Sequence, residues 1–338
     1  MSTYKGIQGY TVQKLSSDPT ASEVEGQLWY NSSSNTWKIS ANVTGAWAAG
    51  GALTRSNGKV NVNGAGSQTA TIAAGGYSPS YYTYSESYNG SAWTATAALN
   101  AARYETGMGG TQTAAICIAG ATETAPTLYE TAACETWNGA SWTSITDITT
   151  RRGTLAGCGT TTAALGAAGN YGTTQTPSWQ FSVLTEEWNG ASWTEVGDVN
   201  NARNYICQAA QGTVTAAVIN GGTPLTLGYK TETYNGTAWT EVADSNTDRE
   251  HGGGFGNSTS AIAMGGYSSG PVVTDKAESW NGLAWTQEAV MASAAIGPGG
   301  SGSGSAGIAI GGQDNPSGTL GTCEEWQGGI LVRTVTTS

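Results

Sequence analysis

Positive charge is scarce in this sequence. Thirteen Lys and Arg face 24 Asp and Glu in 338 residues, a formal net charge of −11. No basic surface is available to follow a phosphate backbone, so nucleic acid is excluded as a partner, and an anionic membrane with it. Histidine is scarcer still. His251 stands alone, which excludes His-rich metal sites and leaves Ser/His/Asp or Cys/His catalysis a single possible base. His251 lies beside Arg249 between two repeats and is expected to be solvated. No apolar run reaches the roughly 18 residues needed to span a bilayer, and the opening MSTYKGIQGYTVQKLSSDPT has no signal-peptide core. The expectation is a protein without signal peptide, transmembrane segment or membrane insertion. The five cysteines, at 117, 134, 158, 207 and 323, form an odd set without CxxC spacing. They read as small buried side chains in a reducing compartment. No GK[ST] phosphate loop occurs, and no cofactor or metal is expected.

Charge of either sign is thin, at 11 % of residues against the roughly 25 % of an average domain, and Gly, Thr, Ser and Ala take its place. That composition suits short strands and tight turns. One decapeptide recurs: SESYNGSAWT, CETWNGASWT, TEEWNGASWT, TETYNGTAWT and AESWNGLAWT, with a degraded copy, CEEWQGGILV. The turns begin at Asn89, Asn138, Asn189, Asn235, Asn281 and Gln327, in steps of 49, 51, 46, 46 and 46 residues. Upstream of each copy, an apolar run ends in a small-residue doublet, as in TIAAGG, IAMGGY and IAIGGQ. Asn-Gly between aromatic-bearing runs is a strong hairpin signal. A two-residue loop would set Trp137 opposite Ala140 and Glu135 opposite Trp142.

A period near 50 with a diglycine and a downstream tryptophan resembles the kelch repeat. The resemblance covers about residues 55 to 336 and implies an all-β fold, a six-bladed kelch-like β-propeller of four-stranded antiparallel blades. The blades would span about 55–97, 103–146, 152–197, 203–243, 249–289 and 295–336, within a domain of residues 46–338. Glu135, Trp137, Trp142, Arg152, Glu186, Trp188, Trp193, Arg203, Trp239 and Trp285 are its structural frame. The copper chemistry of galactose-oxidase-like propellers needs two histidines and cannot be carried over. Ring closure has two candidates: ILVRTVT at the C-terminus, which is favoured because it follows the last turn directly, and TGAWAAGGALTR from Thr44.

Chemistry is harder to find. Arg103, Arg152, Arg203 and Arg249 each follow the second Trp, or its counterpart, of the copy before by ten residues, with Ala295 in the fifth place and Arg55 eight after Trp47. A glutamate recurs at 86, 135, 186, 232, 278 and 324. Recurrence in nearly every copy argues for scaffold, with Arg and Glu paired, and the protein is read as no enzyme. Asp147, Asp198 and Asp244 read as turn residues. The connection between second and third strands varies from 10 to 17 residues, and repeat proteins that vary a loop on one face bind with that face. Its aromatics, Tyr77, Tyr81, Tyr82, Tyr84, Tyr171, Trp179, Phe181, Tyr229 and Tyr267, are the candidate ligand-binding residues, suited to sugar rings or protein surfaces.

Residues 1 to 45 lie outside the period. GQLWYNSSSNTWKIS reads as a hairpin with apolar Leu28, Tyr30, Trp37 and Ile39 alternating around a polar loop. It is similar to short hairpin modules near the N-termini of bacteriophage tail fibre and other virion proteins. The resemblance implies a virion location, assembly in the host cytoplasm and attachment to other virion proteins through residues 1–45. The expected function is a non-enzymatic phage structural protein, tail- or fibre-associated, binding a host-surface glycan or a virion protein. The alternatives are a cytosolic kelch-type adaptor and a glycan-active enzyme.

Overall fold

The computed structural model describes residues 13–16, 28–55, 61–77, 80–122, 130–171, 180–208, 212–269, 272–314 and 318–334. These are all-β, with one short 3-10 turn at Leu225–Leu227. Among them no helix is long and apolar enough to cross a membrane. The chain divides into two compact units, Met1–Gly45 with Gly328–Ser338, and Ala46–Gln327.

In the first unit Leu28–Asn31 pairs antiparallel with the start of Thr36–Ala49, Leu28 opposite Ile39, and parallel with Gln13–Leu15. Asn31 Oδ1 accepts from the N–H groups of Ser33 and Ser34, holding the polar turn. The buried aromatic is Trp29, whereas Leu28 and Trp37 are 43 % and 44 % exposed. The expected apolar face is thus present but uncovered at these two residues.

The second unit holds six sets of strands. The first sheet is Asn63–Ser67, Ala70–Ala74, Ser85–Tyr88 and Trp93–Ala95, and the second Gly107–Thr111, Ala114–Ala121, Glu130–Trp137 and Trp142–Ile145. The third is Ala156–Gly159, Ala164–Ala167, Thr185–Trp188 and Trp193–Glu195, and the fourth Cys207–Gln208, Ala217–Asn220, Thr231–Tyr234 and Trp239–Glu241. The fifth is Gly253–Asn257, Ser260–Met264, Ala277–Trp280 and Trp285–Gln287. These five are four-stranded and antiparallel, each strand beside its neighbour in the chain.

The sixth set breaks that rule. Gly299–Ser303, Ala306–Ile310 and Cys323–Thr334 come from the C-terminal part, and the strand next to Cys323–Thr334 is Thr36–Ala49. Gly50 N–H donates to Cys323 and Leu53 N–H to Gly321, as Thr96 donates to Ser85 and Leu99 to Thr83 in the first sheet. Trp47 packs on Trp326 with ring centroids 5.2 Å apart and donates Nε1–H to the Ala289 carbonyl at 3.1 Å. The N-terminal segment, not the favoured C-terminal one, therefore supplies the second tryptophan of this set. The degraded sixth turn carries Leu331 where that ring would stand, so the earlier copy from Thr44 fills the place.

Each set packs on the next through an apolar cluster. The first and second sheets share Ile72, Met108, Trp137 and Trp142, and the last and first share Ile308, Ile310, Tyr88 and Trp93. Six such clusters join the sets in cyclic order. Large aromatic area buried between sheets is the main stabilising contribution. On the inner side the first strands approach backbone to backbone. A Cβ on Gly157 would lie 2.6 Å from Gly107 Cα, and one on Gly300 would lie 2.1 Å from the Gly254 carbonyl, so the GS-rich stretch GPGGSGSGS is part of the packed inner strands.

The recurrent charges form the frame. Arg103 pairs with Glu135 at 2.7 Å, Arg152 with Glu186 at 2.9 Å and Arg249 with Glu278 at 2.9 Å, and Arg203 pairs with Glu232; all eight side chains are buried. Each arginine also donates to at least two carbonyls, as Arg249 does to Gly265 and Lys276 and Arg152 to Gly166, Ala168 and Leu184. Arg55 departs from the pattern and lies over the Tyr84 ring, 3.2 Å from its centroid.

The hairpin register differs from expectation. Trp137 is opposite Trp142, and the loop is the four residues 138–141. Asn138 Oδ1 accepts from the N–H groups of Ala140 and Ser141, so the asparagine works through its side chain and only Gly139 takes a positive φ, +90°. The gain is a direct ring contact at 5.5 Å. It also accounts for Leu283, which stands in the equivalent loop at 82 % exposure. A Gly139→Ala variant has room for its Cβ, the nearest atom being 3.4 Å away, and should lose about 1–2 kcal/mol from backbone strain alone. Gly159→Ala would place its Cβ 2.3 Å from the Ala163 carbonyl and should lose clearly more in urea denaturation. Equal losses would refute this assignment of the loop.

Candidate functional site

One position in the frame refuses to be constant. Two residues after the recurrent arginine stand Glu105, Thr154, Tyr205 and His251; Gly297 follows Ala295 in the same way, and Asn61 occupies the place in the first sheet. All six have left-handed backbones, with φ of +51° at Asn61, +56° at Glu105, +53° at Thr154, +49° at Tyr205, +55° at His251 and +58° at Gly297. A bulky or β-branched residue in that region is strained by about 1–2 kcal/mol, and repeated strain at one place is characteristic of built sites. Hydrogen bonds fix it. Glu105 donates its N–H to Asn61, Thr154 to Glu105, His251 to Tyr205, Gly297 to His251 and Asn61 to Gly297, at 2.7 to 3.2 Å. The chain segments entering the six sheets thus meet in a near-complete circle of five backbone bonds, running from Tyr205 through His251, Gly297, Asn61 and Glu105 to Thr154, and the six residues line a cavity of about 40 Å³.

The electrostatics of that cavity are unusual. Glu105 is 7 % exposed; its Oε1 accepts from Asn61 Nδ2 at 3.2 Å, and its Oε2 meets no donor in hydrogen-bonding geometry, the nearby Tyr205 hydroxyl included. Burial, reinforced by the Glu130 carboxylate, pushes the Glu105 carboxyl up to about 8, against the pull of Tyr205 and Asn61. Glu130 is raised as well, mainly by its own burial, and accepts from Asn170 Nδ2 at 2.7 Å. His251 is mostly buried, not solvated as expected: its ring stacks on Tyr205 with centroids 3.4 Å apart and takes Tyr267 on edge at 5.8 Å. Burial lowers its pKa to about 4, leaving it neutral, and its Nδ1 has no partner. Among the described residues no group of three or more His, Cys, Asp or Glu could hold a metal ion.

The aromatics chosen from the variable connections are divided by the fold. Tyr77 and Tyr81 pack edge to face at 5.5 Å, and both reach Tyr104, the neighbour of Glu105, at 5.7 and 5.0 Å. Tyr267 joins the cavity through His251. Tyr82 and Tyr84 form a separate stacked pair at 5.0 Å. Tyr171 and Phe181 belong to a small hairpin in which Asn170 is opposite Phe181. Tyr229 is 40 % exposed, and Trp179 lies outside the described residues. The variable connections start beside the circle, since Tyr104, Gly153, Asn204, Glu250 and Ile296 each bridge to the residue after a doublet.

Sequence reasoning missed Glu105, Tyr205 and Tyr104 because it looked for constancy or for motifs. The available signal was the opposite, one position differing in every copy inside an otherwise uniform frame. The five cysteines are buried, and burial raises the thiol pKa of Cys117 and Cys207 to about 11 and of Cys134 and Cys158 to about 12, which disfavours the nucleophilic thiolate at those four. No family model matches the chain, and no curated protein matches it.

Proposed function

We propose that residues 46–327 form a six-bladed kelch-like β-propeller and that the chain is a non-enzymatic part of a bacteriophage particle, tail- or fibre-associated. On this reading it is mounted through residues 1–45 and turns the end bearing the variable connections toward a glycan on the host surface. The observation that carries the binding role is the circle of six different residues, with an unpaired buried carboxyl oxygen, in a frame that otherwise repeats. A scaffold has no use for that difference, and strain held at one position is characteristic of ligand sites. The cyclic order of the six apolar clusters supports the propeller, and the uncovered Leu28 and Trp37 on the N-terminal hairpin support attachment there.

The second reading is a glycan-active enzyme, favoured by the raised carboxyl of Glu105 beside Tyr205. Binding of the full chain to a glycan array, with Tyr81→Ala and Tyr267→Ala variants alongside, separates the readings. Expected are a defined set of bound glycans, a fall of tenfold or more in affinity for at least one variant, and bound glycan recovered intact. Cleaved glycan would establish the enzyme. An empty array from folded protein, together with its absence from purified particles, would overturn the proposal.

A further inference from the structure

We propose that the cavity inside the circle binds a primary ammonium group carried on a sugar, that is, an amino-sugar residue whose nitrogen is not acylated. The inference deepens the glycan reading and rests on it.

Three observations carry it. First, the unpaired polar atoms among the described residues lining the cavity are acceptors or can act as one: Glu105 Oε2, on a side chain more than nine-tenths buried, His251 Nδ1, and the Thr106 hydroxyl, which can also donate. A primary ammonium brings three donors and no acceptor, whereas an acylated nitrogen brings one donor and a carbonyl that would face these oxygens. Second, among the described residues no Lys or Arg lines the cavity, and the carboxyls of Glu130 and Glu250 add to the field of Glu105 and Tyr205. A carboxylate or phosphate would be repelled, and a cation supplies the charge the pocket lacks. Third, about 40 Å³ admits one small head group and not a sugar ring. The ring would stay outside, where Tyr77, Tyr81 and Tyr104 form a contiguous aromatic surface beside Glu105.

The proton balance follows. Near neutral pH the empty site holds Glu105 protonated, so an arriving ammonium forms an ion pair with the carboxylate and one proton leaves to solvent. His251 stays neutral throughout, and Tyr104 and Tyr205 are held protonated by burial.

The test is calorimetric titration of the full chain with a glucosamine oligomer and with its fully N-acetylated counterpart of equal length, at pH 5.5 and 6.5. The amine form should bind at least tenfold more tightly than the acetylated form. Its affinity should rise about tenfold between the two pH values, because below the carboxyl's pKa one proton is released per ligand. Glu105→Gln, which keeps the shape and removes the charge, should lose tenfold or more and show no pH slope. Equal or tighter binding of the acetylated oligomer would overturn the ammonium assignment and leave the glycan reading standing. Undiminished binding of the amine form to Glu105→Gln would assign it to the acidic surface and also overturn the inference. Loss of both oligomers together with an empty array would remove both.

Discussion

Glu186→Gln should destabilise the protein by about 3–5 kcal/mol, the range for stranding one partner of a buried ion pair. Glu186 and Arg152 are both fully buried, and burial already lowers the arginine's pKa. The glutamate binds the guanidinium through Oε1, and Oε2 accepts from the N–H and hydroxyl of Thr149. Gln keeps the shape but presents an NH₂ group and no charge, leaving a buried cation without a counterion. The sixth set supplies an internal control. Among the described residues, Glu324 accepts from the N–H groups of Ala292 and Ser293 alone, at 2.7 and 3.0 Å, and Ala295 stands where an arginine would pair with it. Glu324→Gln should therefore lose only about 1–2 kcal/mol. Urea denaturation of the two variants checks the difference, and equal losses would show that the pairing contributes nothing beyond backbone hydrogen bonding.

Trp47→Ala should lose about 3–5 kcal/mol, the usual range for truncating a packed tryptophan. The residue completes the core between the fifth and sixth sets, against Phe255 and Trp326. Trp37→Ala, ten residues earlier in the same continuous strand Thr36–Ala49 but 44 % exposed, should change stability by less than about 1 kcal/mol. The pair distinguishes a strand that completes the sixth set from a mere N-terminal appendage. A small loss for Trp47→Ala would mean that the sixth set stands without its borrowed strand.

Repetition made the frame readable. Six copies of the turn and the doublet, four of them joined to an arginine at a fixed offset, imposed a common strand pattern on the repeats, because each copy had to satisfy nearly the same hydrogen bonds. The hairpin register was not readable from Asn-Gly, since an asparagine that caps N–H groups with its side chain looks in sequence like one that adopts positive φ. The spare TGAWAAGGALTR copy was visible, but contiguity argued for the C-terminal strand. What decided for Trp47 was a ring to pair with Trp326, which Leu331 cannot provide. His251 looked solvated because its charged neighbours are near in sequence, whereas in space it is covered by Tyr205, itself a member of the circle. Glu105 could not be recognised at all from a local motif, because its chemistry comes from residues 44 positions earlier and 100 later, Asn61 and Tyr205.

The strand that ends in Ala49 also has consequences for how the protein is made. Its neighbour, Cys323–Thr334, lies far along the sequence, so the pairing cannot form until both segments have been synthesised. Until then Trp47 has no Trp326 ring to pack on, and both strands present an unpaired edge. Pairing over so long a stretch of chain is slow, and exposed strand edges invite pairing with a second chain. Chaperone demand and yield on expression should thus depend on how soon these two strands meet.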